Sequence, residues 1–261
     1  MKHINYLDGI DIIYWINLNR ALNRRINMEK ILKDPVFDGI KNVRIHAFDA
    51  KYKNPRKKFI LEQDYDLNNL NRRRTNTEYA ILYSHLNTIH QFSTTNYENA
   101  LIFEDDLSLE YKSYWKKSIR EIIENAPSDW EIIKLSSGAG KIYNHLYNAW
   151  EPFMIHVPKH IDKWNTKILY GDWLAHGYII NNKAAKKLMK EIYHDGKYEL
   201  NHKMLHIADG FIFQKLKTYV YKYPYFTYQD KNISYNIKKS TSLTIHTKKV
   251  ITNMYKKTRK L

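Results

Sequence analysis

Short apolar runs alternate along the chain with segments in which apolar residues recur at helical spacing. Four runs rich in β-branched and aromatic residues have the length of buried strands, at 11–17, 100–103, 130–135 and 177–180. Three helical patterns accompany them, from Asn76 to Phe92, from Trp115 to Ala126 just before Pro127, and from Ala184 to Ile192. Because strands alternate with helices, we predict an α/β fold with one mostly parallel sheet, covered by helices on both faces.

Two longer segments break this alternation. Residues Lys51 to Thr77 are polar and rich in Asn and Arg, and residues Lys141 to Tyr170 are aromatic without clear periodicity. Long irregular segments in a compact domain are often functional lids or insertions. No internal repeat or Gly/Ser linker divides the chain, which turns basic after about Ser240. We therefore predict one folded domain over residues 1–240 and a basic C-terminal tail over residues 241–261.

Composition excludes several classes of protein. The 261 residues include 43 Lys and Arg, 27 Asp and Glu and no Cys, for a net charge of +16. A hydrophobic fraction of 43% argues against a disordered basic protein, and the lack of Cys excludes disulfides, Cys-ligated zinc and a thiol nucleophile. No run reaches the ~18 apolar residues of a membrane span, and the start of the chain lacks a signal-peptide core. We expect a soluble protein made in the cytoplasm.

The positive charge is compatible with a nucleic acid, an anionic membrane face or an anionic small substrate as partner. A codon bias towards Lys, Asn, Ile and Tyr is an alternative source of the lysine excess. The lysines are scattered and no nucleic-acid-binding motif is present, so nucleic acid is not the expected partner. A polyanion-binding basic protein remains the alternative function, and the basic tail is a candidate for peripheral contact with an anionic membrane.

Three adjacent acidic residues, Glu104, Asp105 and Asp106, follow directly on a predicted buried strand. Open α/β sheets bind their ligands at the carboxyl ends of such strands. Two carboxylates about 5 Å apart repel by roughly 3 kcal/mol at an effective dielectric constant near 20, so the cluster calls for a cation or a shared proton. Strand alternation directs Glu104 and Asp106 to one side and Asp105 to the other. The sequence thus predicts either a site for a divalent cation or an acidic loop paired with surplus lysines.

The chain resembles glycosyltransferase family 25, which includes bacterial lipopolysaccharide galactosyltransferases and collagen hydroxylysine galactosyltransferases. Six segments match the family in order over about residues 12–236. They are Ile16 to Arg20 with Arg24 and Arg25, Ala47 to Ala50, Glu78 with Ser84 and His85, Ile102 to Asp106, Asp129 to Leu135, and Gly177 to Leu188 followed by Asp209. Ala50 replaces a glycine of the family pattern, and both glycines of the segment before Ser84 are absent.

This resemblance implies an A-type glycosyltransferase fold, Rossmann-like and in a single catalytic domain over residues 1–240. It also implies a nucleotide-sugar donor, usually with Mn²⁺, and inversion at the anomeric carbon. We expect transfer of galactose or glucose from a UDP-sugar, with Mn²⁺ or Mg²⁺, to a hydroxyl of a glycan or a hydroxylysine-type residue. A bacterial or viral cytoplasmic setting is favoured over the endoplasmic reticulum. An inactive relic that only binds the donor is a further alternative.

Carried over residue by residue, the resemblance gives a candidate donor site. The residues assigned to the donor are Asn17, Leu18, Arg20, Arg24, Asp49, Ser84, His85, Glu104 and Asp105. Arginine suits a diphosphate because its planar fork bonds phosphate oxygens in pairs, although at least one of Arg24 and Arg25 is expected on a solvated helix face. Asp49 is alternatively a turn former, and His85 a buried histidine of a helix core.

The metal and the base are assigned in the same way. Asp106 is the expected metal ligand, with His246 in an alternating, strand-like run as second ligand and Asp230 as its competitor. An inverting transfer needs a base near the acceptor hydroxyl, for which Asp209 is preferred and Asp172 is second. The alternative for both aspartates is a helix cap. Three tryptophans, Trp150, Trp164 and Trp173, are candidates to support a sugar ring or to pack in the core.

Overall fold

The computed structural model describes residues 5–61, 75–137, 149–152, 174–200, 206–229 and 241–258. The described strands are β1 (Ile12–Asn17), β2 (Lys41–His46), β3 (Phe59–Leu61), β4 (Asn99–Glu104), β5 (Leu107–Ser108), β6 (Ile132–Lys134), β7 (Trp150–Pro152), β8 (Gly177–Asn181), β9 (Tyr193–His194), β10 (Lys197–Leu200), β11 (Thr218–Tyr221) and β12 (Thr227–Tyr228). Seven of them hydrogen-bond into a central sheet in the order β2-β1-β4-β8-β6-β11-β7. The four runs predicted as strands became β1, β4, β8 and β6, which are consecutive neighbours.

The sheet is mixed but mostly parallel in direction, as predicted. Strand β1 pairs in parallel with β2 and β4, and β6 pairs in parallel with β11. Strand β8 runs antiparallel between β4 and β6, and β7 runs antiparallel at the edge beside β11. Because β8 is reversed, the residues that precede it lie at the sheet edge where β4 ends. Small sheets β3-β10-β9 and β12-β5 complete the described strands.

The helices cover both faces of the sheet, which confirms the predicted layering. They are α1 (Leu22–Ile31), α2 (Asn76–Ser93), α3 (Ile119–Glu124), α4 (Asn182–Ile192), α5 (Ala208–Lys215) and α6 (Thr241–Thr258). Helices α2, α4 and α5 pack on the face that carries Ile102 and Tyr178. Helices α1 and α3 pack on the other face, with Leu101 and Phe103. Adjacent strand residues thus enter opposite cores, because side chains alternate along a strand.

Helix α3 is shorter than its apolar pattern predicts. Ser118 and Glu121 form a capping box, so the helix begins at Ile119, four residues after Trp115. Trp115 is instead buried ahead of the helix, where its ring stacks on Tyr225 at 4.5 Å and its indole N–H donates to the Tyr225 carbonyl. The apolar spacing from which the longer helix was predicted therefore includes Trp115, which packs against the core from outside the helix.

The C-terminal segment forms a helix rather than the strand predicted from the alternation around His246. Helix α6 buries Ile251 and Tyr255 against Tyr111, and the Tyr255 hydroxyl donates to the Pro224 carbonyl at 2.7 Å. Thr247, Ile251 and Tyr255 are buried at intervals of four residues, with Lys248 buried next to Thr247, which is helical spacing. A four-residue alternation was too short to distinguish the two structures. The division into residues 1–240 and 241–261 stays a prediction.

Much of the two irregular segments lies outside the described residues. The described part of the first contains a 3-10 turn at Pro55–Lys58 and strand β3. Of the second, residues 149–152 are described and include β7. The predicted lid function of these segments stays a prediction. None of the described helices combines the length and the apolar character needed to cross a membrane.

Candidate active site

The acidic triplet lies at the carboxyl end of β4, where the sequence predicts it. Glu104 is the last residue of the strand, and Asp105 and Asp106 form the turn into β5. Glu104 and Asp106 face His176, whereas Asp105 contacts Asn17 and Arg24. The side chains therefore divide as strand alternation predicts.

Asp105 is held by groups from β1 and α1. The Asn17 side-chain amide donates to Oδ2 of Asp105 at 2.6 Å, and Nη2 of Arg24 lies 2.9 Å from Oδ1. Arg24 also lies 2.6 Å from Oδ2 of Asp106, and its side chain is only 12% exposed. Arg24 is thus buried against the acids, whereas Arg25 is half exposed and pairs with Glu29. One of the two arginines thus lies on a solvated helix face, as predicted. The other, Arg24, contacts carboxylates in this structure.

A second arginine, Arg44 of β2, supports Asn17 from behind. Its Nε and Nη2 atoms donate to Oδ1 of Asn17 at 3.0 and 2.7 Å. This fixes the orientation of the Asn17 amide, so that its nitrogen faces Asp105. Sequence reasoning missed Arg44, because nothing in one sequence reveals which residue of β2 lies beside Asn17.

Glu104, Asp106 and His176 form a group that fits a divalent cation. One ligand atom from each lies within 4.8 Å of the others. Nε2 of His176 is 3.3 Å from Oδ1 of Asp106. Two buried atoms, Oδ1 of Asp106 and Nδ1 of His176, have no hydrogen-bond partner among the described residues. Carboxylate oxygens suit Mn²⁺ and Mg²⁺, and the imidazole favours Mn²⁺ of the two.

The charges in this cluster shift one another's pKa values. Burial alone raises the pKa of Asp106 and lowers that of His176, but their mutual attraction outweighs burial. The pKa of Asp106 falls to about 2 and that of His176 rises to about 9. Burial raises the pKa of Asp105 to about 6, against the opposing effects of Arg24 and Asn17. Without a metal ion, His176 is protonated and its positive charge balances the carboxylates. A cation held by the cluster would take the place of this proton, because only a neutral imidazole can ligate a metal.

His85 links the acids to the neighbouring helix. Its Nδ1 lies 3.1 Å from the Tyr178 hydroxyl and its Nε2 lies 3.4 Å from Oε1 of Glu104. The imidazole is almost fully buried on α2. His85 is therefore a satisfied core histidine, which agrees with the alternative from the sequence, and it also contacts Glu104. Its assignment to the donor stays a prediction.

A cavity of about 390 Å³ opens beside the acids and brings most of the predicted donor residues together. Eight of them line it: Leu18, Arg20, Arg24, Asp49, Ser84, His85, Glu104 and Asp105. Asn17, the ninth, lies behind Asp105. The cavity is bounded by the end of β1, the start of α1, the loop from Ala47 to Lys51 and one side of α2.

Two contacts shape the far wall of this cavity. Nε of Arg20 donates to Oδ2 of Asp49 at 2.7 Å, while Oδ1 of Asp49 accepts from the Lys51 backbone. Asp49 therefore also acts as the turn former that the sequence offered as the alternative. The Ser84 hydroxyl donates to the Ala80 carbonyl and accepts from the Phe48 N–H at 2.9 Å, which ties the loop to α2.

Asp209 lies beside the segment that leads to His176 and does not line the cavity. Its carboxylate accepts from the backbone N–H groups of Leu174 and Gly210, at 3.0 and 3.1 Å. Leu174 has a φ of +99°, so this contact holds a strained backbone residue two positions before His176. Asp209 lies in the first turn of α5, whose N-cap is Ile207 and whose start has no side-chain cap hydrogen bond, so the helix-cap alternative is wrong for Asp209. The role of base stays a prediction.

Several predicted residues lie outside the described part of the chain. These are Asp172, Asp230, Trp164 and Trp173. His246 is in α6, but its side chain is not among those described. Trp150 is in β7 and packs on Tyr221 at a ring separation of 4.8 Å, which agrees with its core-packing alternative.

His176 is the main functional candidate that sequence reasoning missed. It directly precedes the predicted strand 177–180 and carries no motif of its own. Had that strand been recognised as antiparallel to β4, its amino end would have been placed beside the acids. Tyr228 was also missed; it reaches the site because β12 pairs with β5, directly after the acids, and its ring packs edge-on against His176 at 5.5 Å.

Three kinds of comparison with known proteins were made, and the family model agrees with the resemblance. No curated protein sequence matches the chain. Among solved structures, the apo crystal structure of mouse xyloside xylosyltransferase 1 is similar over 80% of this chain and 71% of that one, at 12% identity and a TM-score of 0.33. A likeness of that size carries no argument about function. The sequence model of glycosyltransferase family 25, described as an LPS biosynthesis protein, matches residues 10–204. The match covers well over half of the chain, which therefore belongs to glycosyltransferase family 25.

Proposed function

We propose that the protein transfers a hexose, galactose or glucose, from a UDP-sugar to a hydroxyl acceptor with the help of a divalent cation. The observation that carries the proposal is the cluster of Glu104, Asp106 and His176 beside a cavity of about 390 Å³. A cavity of this size is within the range of small-molecule sites. The family assignment supports a glycosyltransferase, and the cluster supports dependence on a metal.

The proposed metal ligands are Asp106, Glu104 and His176, and Mn²⁺ is the proposed ion. Held by these residues, a divalent cation would supply positive charge to offset the negative charge of the diphosphate leaving group. His246, the second metal ligand expected from the sequence, stays an alternative candidate for that role. His176 is placed first because one of its ring nitrogens lies within 4.8 Å of ligand atoms of Glu104 and Asp106, and because its buried Nδ1 has no hydrogen-bond partner among the described residues.

The remaining residues of the cavity are proposed to bind and orient the donor. Asp105 and Asp49 are acceptors for ribose or base hydroxyl and N–H groups, with Asn17 and Arg44 holding Asp105 in place. Arg20 and Arg24 supply the positive charge for the diphosphate. Arg24 is paired with two carboxylates, so its guanidinium would have to share or exchange these contacts when the donor binds.

Inversion requires a base on the acceptor side. The base accepts the hydroxyl proton while the new bond to the anomeric carbon forms and the bond to the diphosphate oxygen breaks. Asp209 is the proposed base and Asp172 the second candidate. The proposed acceptor is a glycan hydroxyl or a hydroxylysine-type residue. The LPS description of the matched family favours the glycan.

The experiment is a thermal-shift screen of UDP-, GDP- and CMP-sugars with and without Mn²⁺. Ligands that bind the native state raise the melting temperature, by an amount equivalent to about 2.7 kcal/mol at a concentration of 100 Kd. We expect stabilisation by UDP-galactose or UDP-glucose that depends on Mn²⁺. Asp106→Ala provides the control, since it should abolish the metal-dependent part. An equal response to all three nucleotides, or one independent of metal, would contradict the proposal.

A further inference from the structure

A second cavity, of about 710 Å³, lies at the edge of the central sheet where β4 begins. Asn99, the first residue of β4, and Asn181, the last residue of β8, pair in the sheet and both line this cavity. Glu104 ends β4 five residues later, so this edge and the acidic cluster are roughly 17 Å apart at about 3.3 Å per residue. Among the described residues, none lines both cavities. We call the second one the far cavity.

Two aromatic side chains border the far cavity, one from each face of the sheet. Tyr97, just before β4, packs on the core that contains α2, and Trp130, just before β6, packs on the core that contains α3. Both are half-buried. Within the described part of the chain, neither ring packs on another aromatic ring, and neither the Tyr97 hydroxyl nor the Trp130 indole N–H forms a hydrogen bond. The core thus holds both rings in place and leaves their polar groups available to a ligand.

Two amide side chains of the far cavity are fixed through their nitrogen atoms. Nδ2 of Asn182 donates to the carbonyl oxygens of Phe92 and Thr95 at 3.0 and 3.3 Å. Nδ2 of Asn99 donates to the Gly9 carbonyl at 3.2 Å. In both residues Oδ1 accepts no hydrogen bond from a described group. The far cavity therefore contains two oriented acceptors whose own donors are already used.

The charged side chains of the far cavity cancel one another. Three lysines and three acidic residues line it, namely Lys183, Lys186, Lys217, Glu98, Asp129 and Glu131. The chain as a whole carries a net charge of +16. A cavity without net charge in so basic a protein favours a neutral ligand over a polyanion or a nucleotide, because phosphate groups would bring negative charge that the lining does not balance.

We propose that the far cavity is a second binding site, for a neutral oligosaccharide. One face of a sugar ring presents C–H groups that pack on an aromatic ring such as Trp130 or Tyr97, and its hydroxyls donate to Oδ1 of Asn99 and Asn182. The volume is within the range of small-molecule sites. An apolar ligand would leave these amide oxygens and the charged groups unpaired. The proposal does not rest on the transfer reaction, which is assigned to the other edge of the sheet.

The test is isothermal titration calorimetry with neutral pentasaccharides of glucose, galactose and N-acetylglucosamine, without donor or metal. We expect at least one of them to bind at concentrations up to about 10 mM. Trp130→Ala should lower its association constant about tenfold, because a ring that packs on the sugar is lost. Ser128→Arg should have at least the same effect, since a long side chain from this exposed position of the cavity would occupy the space of the ligand.

Trp150→Ala is the matched control. Trp150 is half-buried against the same core as Trp130 but lines neither cavity, so we expect the association constant to change by less than about twofold. Melting temperatures show whether the variants fold, and the exposed position of Ser128 keeps the test valid if Trp130→Ala does not fold. Three results would overturn the proposal: no binding of any pentasaccharide, binding that survives Ser128→Arg, or an equal loss in Trp150→Ala. Binding of uridine or heparin that Ser128→Arg abolishes, with no binding of the neutral sugars, would assign the cavity to another ligand.

Discussion

Nε2 of His176 lies 3.3 Å from Oδ1 of Asp106, and this contact depends on the direction of one strand. Gly177, the first residue of β8, pairs with Phe103 of β4 in antiparallel register. The residue before β8 therefore lies beside the residues that follow β4. A parallel β8 would place His176 at the opposite edge of the sheet.

We predict that His176→Ala raises the dissociation constant for Mn²⁺ at least about tenfold, because it removes one of three clustered ligands. The measurement is titration of free Mn²⁺ by electron paramagnetic resonance. His194→Ala, at an exposed position of β9, is the control and should leave the constant unchanged. The same titration of His246→Ala tests the second metal ligand expected from the sequence and allows its effect to be compared with that of His176→Ala. A larger effect of His246→Ala than of His176→Ala would contradict our choice.

Arg24→Gln should destabilise the metal-free protein by about 3 kcal/mol, because it leaves the carboxylates of Asp105 and Asp106 without their shared cation. If a metal binds Asp106, Mn²⁺ should restore part of the lost stability. Urea denaturation with and without Mn²⁺ measures both effects. Arg25→Gln, on the exposed side of the same helix, is the control. A loss of stability that Mn²⁺ does not reduce would contradict the shared role of these carboxylates.

Ser84→Ala should cost about 1–2 kcal/mol and raise the KM for the donor, because the Phe48 N–H loses its hydrogen-bond acceptor at the cavity wall. Ser93→Ala is a close control. Ser93 is buried on the same helix, but its hydroxyl bonds only to the His90 carbonyl of that helix. Thermal denaturation and donor kinetics of the two variants distinguish the effect of losing a hydrogen bond within the helix from the effect of losing the bond to the loop. An unchanged KM in Ser84→Ala would mean that the loop does not touch the donor.

Asp209→Asn should lower kcat by at least about 100-fold if Asp209 is the base, because a side-chain amide cannot take up the proton of the attacking hydroxyl group. The amide oxygen can still accept from the Leu174 N–H, but the amide NH2 cannot accept from the Gly210 N–H, so a loss of about 1 kcal/mol is expected and the melting temperature checks that the variant folds. The same change at Asp172 tests the second candidate. Activity that survives in Asp209→Asn and is lost in Asp172→Asn would transfer the role to Asp172.

The stability of the segment after α1 should depend on pH through Asp34. Burial raises the pKa of Asp34, but the Lys112 ammonium and the Val36 N–H outweigh it, so the pKa lies below its ordinary 3.8. A folded-state pKa below the unfolded one stabilises the protein above about pH 4, and this stabilisation is lost as the pH falls through the folded-state value. Asp34→Asn should therefore destabilise at pH 7 and progressively less below pH ~4.

The measurement for Asp34 is urea denaturation of both proteins at a series of pH values. Asp38→Asn, at an exposed position four residues further on, is the control and should show a smaller difference at pH 7. A difference between wild type and Asp34→Asn that grows as the pH falls would mean that the pKa of Asp34 is raised, not lowered, by folding.

Several features of the site were predictable because they depend on residues close in sequence. The apolar run of β4 followed by Glu104, Asp105 and Asp106 fixed the position of the acids and the sides to which they point. The order of motifs identified the eight predicted residues that line the cavity. Helix α2 matched its predicted bounds within one residue, since Thr75 and Glu78 form a capping box at its start.

The α/β class, the central strands and the family could be inferred without coordinates. These depend on local periodicity and on the order of motifs, which a single chain displays directly. The reversal of β8, the contact of Arg24 with two carboxylates and the place of His176 in the acidic cluster became known only from the folded chain. Strands buried on both faces have the same apolar composition in either direction, so their direction is set by how the chain crosses the sheet and not by the residues within them.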